Sequence, residues 1–216
     1  PLQLFGLVSD GGVHSHVRHL MAAIDLCRRH GVVPLLHMIT DGRDTAPKSA
    51  LNDLGELERA LDDANGAVAT VSGRYYAMDR DQRWDRTERA WRAIALGKGR
   101  AAASARAAIN AAYAAGETDE FIHPSVIADY AGLQPGDPML LFNFRKDRPR
   151  QIAAALAVSG FDGFDRGEAA LAELTCMMEY DARMGLPFAF APEAPKVCLN
   201  TYLAARGIGQ FHCAET

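Results

Sequence analysis

The fold is decided by Leu4-Phe-Gly-Leu-Val-Ser-Asp-Gly-Gly-Val-His-Ser-His16, a stretch near the start of the chain. Its apolar run ends at Ser9-Asp10-Gly11-Gly12, where polar groups and two glycines appear together. This pattern predicts a buried strand, a glycine turn and the start of a helix. Gly11 and Gly12 allow a positive φ and the close approach of a ligand, although a tight turn alone would also explain the pair.

The residues after the glycines predict the N-terminus of the helix. Ser15 is of the type preferred at an N-cap, so we expect it to begin the helix that follows. His14 would then lie beside free N–H groups and the positive end of the helix dipole, where an anion is favoured. His14 and His16 also have the side chains of a metal pair, but their spacing in a turn is poor and no third ligand is near in sequence. We therefore predict no metal in this chain.

Strand-like and helix-like segments alternate along the rest of the chain. Helical periodicity follows Val17, Pro47, Trp84 and Asp147, and it covers residues 101–115 and 200–206. Strands are predicted at residues 2–8, 32–40, 66–71, 138–143, 173–180 and 208–214. Residues 118–137 are mixed, with Pro124 favouring a short helix, and residues 186–196 are predicted to be a linker. The alternation argues for an α/β fold, with three α/β/α layers around a mostly parallel sheet.

The composition is that of an ordinary globular protein, and it excludes several function classes. The 216 residues are 49% hydrophobic and 23% charged, with a net charge of −4. This balance disfavours nucleic acid and anionic membranes as partners, and no apolar run predicts a membrane span or a signal peptide. The four cysteines are widely spaced, so we expect reduced packing residues in a cytoplasmic protein. The chain starts and ends beside strand-like runs, which predicts a piece of a longer protein.

Arginines dominate the basic residues, and many of them follow predicted strands. Of the 23 basic residues 19 are arginine, the side chain suited to bidentate capture of phosphate or carboxylate. A codon bias would raise this count, but it would not place arginines after strands. Polar, ligand-type residues follow four strands, at residues 10–16, 41–44, 74–80 and 145–148. The arginines of the Trp84 helix, at positions 83, 86, 89 and 92, are expected on its solvated side.

The four polar segments should meet at one edge of the sheet, because ligands bind outside the carboxyl ends of parallel strands. That edge would carry one histidine, one aspartate and five arginines: His14, Asp44, Arg43, Arg74, Arg80, Arg145 and Arg148. Several guanidinium groups around one crevice predict a ligand with more than one anionic group, such as a phosphorylated carboxylic acid. They could also neutralise the charge that develops on a phosphoryl group during transfer.

Each member of this set also has an ordinary structural explanation. A lone arginine at a strand end is often a surface ion-pair partner. Asp44 has the side chain to cap a helix starting at Pro47, and Asp147 to cap the helix after it. Asp10 and Asp41 are expected to accept from backbone N–H groups in their own turns. The functional prediction therefore depends on the whole set rather than on any single residue.

Four long motifs cover these positions. They are Leu7-Val-Ser-Asp-Gly-Gly-Val-His-Ser-His16, Asp41-Gly-Arg-Asp-Thr-Ala-Pro47, Ser72-Gly-Arg-Tyr-Tyr-Ala-Met-Asp-Arg-Asp-Gln-Arg-Trp-Asp-Arg86 and Asn143-Phe-Arg-Lys-Asp-Arg-Pro-Arg-Gln151, with the tail Ala214-Glu-Thr216. With them the chain closely resembles the cofactor-independent (2,3-bisphosphoglycerate-independent) phosphoglycerate mutases. The resemblance implies a member of the alkaline-phosphatase superfamily with two α/β domains. One domain carries a nucleophilic serine and two manganese ions (Mn2+), and the other, inserted into it, binds phosphoglycerate.

The resemblance also implies a domain division and a set of site residues. Residues 1–190 would be the phosphoglycerate-binding (phosphotransferase) domain without its first helix, and residues 191–216 a linker and the first returning segment of the phosphatase-like domain. The substrate would be held by His14, Arg43, Asp44, Arg74, Arg80, Arg145 and Arg148. In the family, the aspartate matching Asp44 is the acid/base on the glycerate hydroxyls, and the histidine matching His14 contacts the substrate near the phosphoryl path.

The serine and metal ligands of the family have no counterpart in this sequence, so no cofactor is expected in the chain itself. Its expected partners are phosphoglycerate and the phosphatase-like domain of the same chain, within a monomeric, cytoplasmic, glycolytic isomerase. Alone, the chain is expected to bind phosphoglycerate weakly and not to turn it over. Two rival functions stay open: a non-catalytic phosphoacid-binding module, and a sister phosphomutase or phosphoesterase of the same superfamily.

Overall fold

The computed structural model describes residues 1–191 and 197–213. These residues contain eight strands, which form one sheet: β1 (Leu2–Val8), β2 (Pro34–Thr40), β3 (Ala67–Gly73), β4 (Arg100–Ala102), β5 (Ser125–Ile127), β6 (Pro138–Leu141), β7 (Glu173–Met178) and β8 (Phe188–Phe190). The same residues contain seven α-helices: α1 (Val17–Arg29), α2 (Leu54–Asp63), α3 (Arg74–Ala77), α4 (Trp84–Leu96), α5 (Ala105–Ala114), α6 (Arg150–Ala157) and α7 (Leu199–Ala204). None of these helices is long and apolar enough to cross a bilayer.

The sheet is mostly parallel, which confirms the prediction. Its spatial order is β4-β5-β3-β2-β1-β6-β7-β8, and the pairing of β3 with β5 is antiparallel. The chain moves outward from β1 through β2 to β3, and later returns to place β6 on the other side of β1. A reversal of this kind, here between β1 and β6, is the position at which open α/β sheets bind ligands outside the carboxyl ends of their strands.

Apolar clusters cover both faces of the sheet, so the domain has three layers. Successive side chains of a strand point to opposite faces. Leu4 of β1 belongs to the cluster that α1, α2 and α5 build with Leu20, Leu57 and Ile109. The next residue, Phe5, belongs to the opposite cluster, to which α4 and α6 contribute. The predicted α/β/α fold class is confirmed.

The short elements differ from the prediction. Strands β4, β5 and β8 have three residues each, too few to show a periodic pattern. The helix start predicted at Pro124 is wrong, because β5 follows there instead. Residues 208–213, predicted as a strand, have no regular structure, and residue 214 lies outside the described residues. The predicted linker at 186–196 contains β8, and its residues 192–196 are likewise not described.

The N-cap of α1 is His16, not Ser15 as predicted. The His16 side chain accepts a hydrogen bond from the Arg18 N–H. Ser15 cannot fill this role, because it is fully buried and its hydroxyl donates to the Leu7 carbonyl of β1. Ser15 therefore stabilises the packing of the turn against β1 and does not cap the helix.

The helix predicted from Pro47 begins instead at Leu54. Asp119 explains the delay, because its carboxylate accepts from the N–H groups of Ser49 and Ala50 at 2.7 and 2.9 Å. These bonds hold the residues before α2 in turns and leave its start seven residues later than predicted.

Burial separates the four cysteines into two pairs. Cys27 and Cys176 are buried free thiols, as predicted for packing residues. Cys198 and Cys213 are also free thiols, but neither is buried, so the packing role predicted for them is wrong.

Candidate functional site

The four predicted polar segments lie next to one another at the carboxyl edge of the sheet. Gly12 has a φ of 68°, which the turn after β1 requires. A Cβ on Gly11 would lie 2.8 Å from the Asp44 carbonyl oxygen, so the group that approaches this glycine closely is the loop after β2. The His14 carbonyl accepts a 2.8 Å hydrogen bond from the Phe144 N–H, which ties the loop after β1 to the loop after β6.

Arg74 is the buried centre of this edge. It follows β3 directly, and its side chain is only 2% exposed. Its Nη1 atom donates to Asp41 Oδ1 at 2.6 Å and to Asp44 Oδ2 at 2.5 Å. Burial alone would lower the pKa of Arg74, but the two carboxylates raise it above its ordinary value. One guanidinium group therefore fixes both aspartates of the loop after β2.

Asp41 is a structural member of the site. Its Oδ1 accepts from the N–H groups of Arg43 and Asp44, which confirms the prediction that it satisfies its own turn. Its Oδ2 accepts from the Ser9 hydroxyl at 2.6 Å. Burial raises the pKa of Asp41, but these bonds and Arg74 lower it further than burial raises it. Asp44 caps no helix, because α2 begins ten residues later.

His14 lies between two carboxylates without bonding to either. Its Nε2 is 3.9 Å from Asp44 Oδ2, and its Nδ1 is 3.6 Å from Asp147 Oδ1. The residue is 3% exposed. Burial, and then the charge of Arg74, lower the pKa of His14 to about 4, although the charge of Asp147 raises it. The imidazole is therefore neutral near pH 7.

A cleft of about 260 Å³ opens beside Arg74. Four of the predicted arginines line it together with six other residues: Arg43, Arg74, Arg80, Arg148, Tyr75, Asp79, Asp81, Arg86, Glu120 and Phe121. The lining therefore contains five arginines and three carboxylates. An excess of positive charge in a concave surface favours an anionic ligand.

Arg148 experiences this positive charge most directly. Burial lowers its pKa, and the charges of Arg74, Arg80 and Arg43 lower it by more than the charge of Asp147 raises it. Its Nη1 donates to the Met78 carbonyl at 3.1 Å. Among the described residues no carboxylate pairs with it within 4 Å. A bound anion would relieve this repulsion.

Asp147 connects the remaining arginine to the site. Arg145 does not line the cleft, but its Nε lies 3.2 Å from Asp147 Oδ1. Arg80 donates to Asp147 Oδ2 at 3.0 Å. Burial raises the pKa of Asp147, but the charge of Arg145 and, in acid where the imidazole is protonated, that of His14 lower it below its ordinary value. The predicted capping role of Asp147 is wrong, because Pro149 is the N-cap of α6.

Arg86 lines the cleft, although the sequence predicts it on the solvated face of its helix. Its guanidinium lies 4.0 Å from the centre of the Tyr75 ring, and its Nη1 is 3.3 Å from Asp79 Oδ1. The side chain is 21% exposed. Helical periodicity alone could not reveal this contact, because its partners belong to α3 and the loop that follows.

A second cavity, of about 330 Å³, has Asp44 in its lining. Its charged lining residues are all carboxylates: Asp10, Asp41, Asp44, Asp53 and Asp119. Such a lining repels an anion, so the arginine-lined cleft is the better site for the ligand that the sequence predicts. Asp44 lines this acidic cavity and not the arginine-lined cleft, to which it is joined through Arg74.

Comparison with known proteins identifies the family of this chain. The family model described as "BPG-independent PGAM N-terminus" matches residues 1–182. The chain belongs to this family. The matched range includes every predicted site residue and the four loops that carry them.

Alignments with phosphoglycerate mutases extend over the whole chain. A 2,3-bisphosphoglycerate-independent phosphoglycerate mutase of Symbiobacterium thermophilum is 49% identical over 220 residues, covering 100% of this chain and 43% of that protein. The corresponding mutase of Myxococcus xanthus is 45% identical, with the same coverage. A crystal structure of Leishmania mexicana phosphoglycerate mutase at low cobalt concentration superposes with a TM-score of 0.85 and 32% identity, over 95% of this chain and 41% of that one. The chain thus spans less than half the length of the relatives it matches.

Proposed function

We propose that this chain holds the phosphoglycerate in a phosphoglycerate mutase that interconverts 3-phosphoglycerate and 2-phosphoglycerate. The proposal rests first on Arg148, a partly buried cation without a carboxylate partner among the described residues, surrounded by three further guanidinium groups. Phosphoglycerate carries a phosphate and a carboxylate, and guanidinium groups bind both through paired hydrogen bonds. The printed names of the relatives support the same substrate class.

Asp44 is proposed to move the proton of the reacting hydroxyl. Its Oδ2 is paired with Arg74, and only 21% of its side chain is exposed. When the phosphoryl group bonds to a glycerate oxygen, that oxygen loses its proton, and Asp44 accepts it. In the opposite direction Asp44 returns the proton to the oxygen that the phosphoryl group leaves. His14, which is neutral, contacts the substrate without adding charge.

The rest of the reaction is proposed to take place on the part of the parent protein outside this chain. The family resemblance implies a phosphoserine intermediate and two manganese ions there, where the metals would stabilise charge on the phosphoryl group. Among residues 1–191 and 197–213, no group of three or more His, Cys, Asp or Glu side chains could hold a metal ion. The steps proposed for this chain accordingly use only its arginines, Asp44 and His14. The division near residue 190, the monomeric state and the cytoplasmic location are proposals of the same kind.

Binding of 3-phosphoglycerate to the chain tests this proposal. We expect a dissociation constant on the order of 1 mM by isothermal titration calorimetry, because only part of the enzyme surrounds the ligand. Arg148→Ala should weaken binding about tenfold or more, since it removes charge-assisted hydrogen bonds. Arg59→Ala is the matched control, because Arg59 is exposed on α2. Equal affinity of the wild type and Arg148→Ala would contradict the proposal.

Turnover separates the proposed function from its rivals. The chain alone should not convert 3-phosphoglycerate to 2-phosphoglycerate, and measurable conversion would show that it needs no second domain. Activity of the complete protein with manganese would exclude a non-catalytic phosphoacid-binding module. For a sister enzyme acting on a sugar phosphate, Arg145→Ala and Arg148→Ala should leave substrate affinity largely intact, because that substrate has no carboxylate to bind.

A further inference from the structure

Two buried polar atoms of the site face each other without a hydrogen bond. In the described part of the chain, three buried side-chain nitrogen or oxygen atoms have no partner: His14 Nδ1, Asp147 Oδ1 and Arg86 Nε. The first two are 3.6 Å apart. Asp147 Oδ1 also lies 3.2 Å from Arg145 Nε, but this ion pair is not aligned as a hydrogen bond. Buried polar groups are almost always paired, so two unpaired groups at this distance require an explanation.

We propose that Asp147 is a positioning residue for His14: its carboxylate accepts a hydrogen bond from Nδ1–H and so leaves Nε2 unprotonated toward Asp44. The inference deepens the proposed function and rests on it for its catalytic meaning. The hydrogen bond itself is a separate claim about the free chain.

The acceptors around the imidazole determine which nitrogen carries the proton. A neutral ring has one N–H group, and the two candidate acceptors are Asp44 Oδ2 and Asp147 Oδ1. Asp44 Oδ2 already accepts from Arg74 at 2.5 Å and lies farther from the ring, at 3.9 Å. Asp147 Oδ1 has no other hydrogen bond and lies nearer. An N–H group at Nδ1 therefore has a better hydrogen-bond acceptor than one at Nε2.

Backbone hydrogen bonds already hold the loop of His14 against the loop of Asp147. The carbonyl of His14 accepts hydrogen bonds from the N–H groups of Phe144 and Arg145, at 2.8 and 3.3 Å. Asp147 follows in the same loop, so a small side-chain movement closes the 3.6 Å separation to the usual length of about 2.9 Å. Catalytic hydrogen bonds are often long before a ligand binds and shorten in the complex.

A bound anion would favour this closure. Arg80 and Arg145 now hold the Asp147 carboxylate, and both are half exposed at the edge where the anion is proposed to bind. If an anion attracts these guanidinium groups, Asp147 is left with His14 as its remaining partner. The charged groups that face the ring are Asp44, Asp147, Arg74 and Arg145. Asp147 is the carboxylate whose charge most supports a proton on the imidazole.

Nitrogen NMR of the chain with ¹⁵N-labelled histidine tests the proposal. The His14 signal is assigned by its loss in His14→Gln, and its two nitrogen shifts report the tautomer. We expect the Nδ1–H tautomer to predominate near pH 7 and inorganic phosphate to increase its share. In Asp147→Asn the Nε2–H share should rise severalfold and the His14 pKa should fall. Asp10→Asn is the control, because Asp10 is an exposed carboxylate in the same loop as His14.

The outcomes separate this inference from the proposed function. A predominant Nε2–H tautomer in the wild type, or an unchanged tautomer in Asp147→Asn, overturns the positioning role whether or not 3-phosphoglycerate binds. The expected tautomer without any phosphoglycerate binding supports the hydrogen bond and contradicts the proposed function. In the complete protein, Asp147→Asn should lower kcat about tenfold or more with KM changed less than about threefold. A rise in KM alone would mean that Asp147 acts only through Arg80 and Arg145, and would overturn the proposal.

Discussion

Arg74→Ala should destabilise the chain by about 3–5 kcal/mol, the usual cost of removing one partner of a buried ion pair. The variant leaves Asp41 buried without its cation, and it removes the 2.5 Å bond that holds Asp44. Urea unfolding followed by circular dichroism measures the change in the free energy of unfolding. Arg74→Ala should also abolish detectable binding of 3-phosphoglycerate, because the loop after β2 loses its anchor.

Two further variants separate the buried charge from a general loss of packing. Arg92→Ala removes a surface arginine that lies 3.3 Å from Glu88 and is 48% exposed, so it should cost less than about 1 kcal/mol. Combining Arg74→Ala with Asp41→Asn should recover part of the loss, because no unpaired carboxylate is then buried. A cost of Arg74→Ala no larger than that of Arg92→Ala would show that this network does not stabilise the fold.

Acid should destabilise the chain before its carboxylates are protonated, because two histidines are buried in neutral form. His37 is fully buried in the sheet, where Nε2 contacts Gln3 Oε1 and Nδ1 contacts Thr70 Oγ1, both at 3.0 Å. Burial lowers the pKa of His37 to about 3, and burial followed by Arg74 lowers that of His14 to about 4. Both rings gain a proton on unfolding once the pH is below about 6.5.

The sign and size of this effect follow from proton linkage. The contribution of the two neutral histidines to the free energy of unfolding is fully present above about pH 6.5. It decreases as the pH falls, by about 1.4 kcal/mol per pH unit for each histidine. Between pH 6 and 4.5 the loss should therefore approach about 3 kcal/mol per unit, against a typical total of about 5–15 kcal/mol. Urea titrations at half-unit intervals measure it. His37→Gln should remove about half of the slope, whereas His30→Gln, at an exposed position after α1, should leave it unchanged. A stability independent of pH in this range would contradict the burial of both neutral rings.

The fold could be predicted where the sequence pattern is long and local. β1 and the helix after it are visible as an apolar run, two glycines and a helical period, and the order of strands and helices then implies a parallel sheet. Arg43, Arg74 and Arg148 could be placed at one edge because each lies in a polar segment between a predicted strand and the predicted helix after it. β4, β5 and β8 escaped prediction because three residues carry no period.

The rest of the site depends on contacts between distant parts of the chain. The local sequence at Asp147 predicts a helix cap, and only the pairing of β1 with β6 brings this residue to His14. The local sequence at Ser15 predicts an N-cap, and only the fold shows that its hydroxyl donates to a strand carbonyl instead. Arg86 lies at the cleft because its guanidinium group contacts the Tyr75 ring and Asp79. In each case the local pattern permits two roles, and tertiary packing selects one.

The proposed function requires one cleft to bind a phosphate and a carboxylate on the same small molecule. Calorimetry with 3-phosphoglycerate and with glycerol 3-phosphate, which has the phosphate but no carboxylate, tests it directly. We expect the two compounds to compete for the cleft and 3-phosphoglycerate to bind about tenfold or more tightly, a difference of about 1.4 kcal/mol. Equal affinities, or binding of both compounds that Arg148→Ala does not weaken, would contradict it.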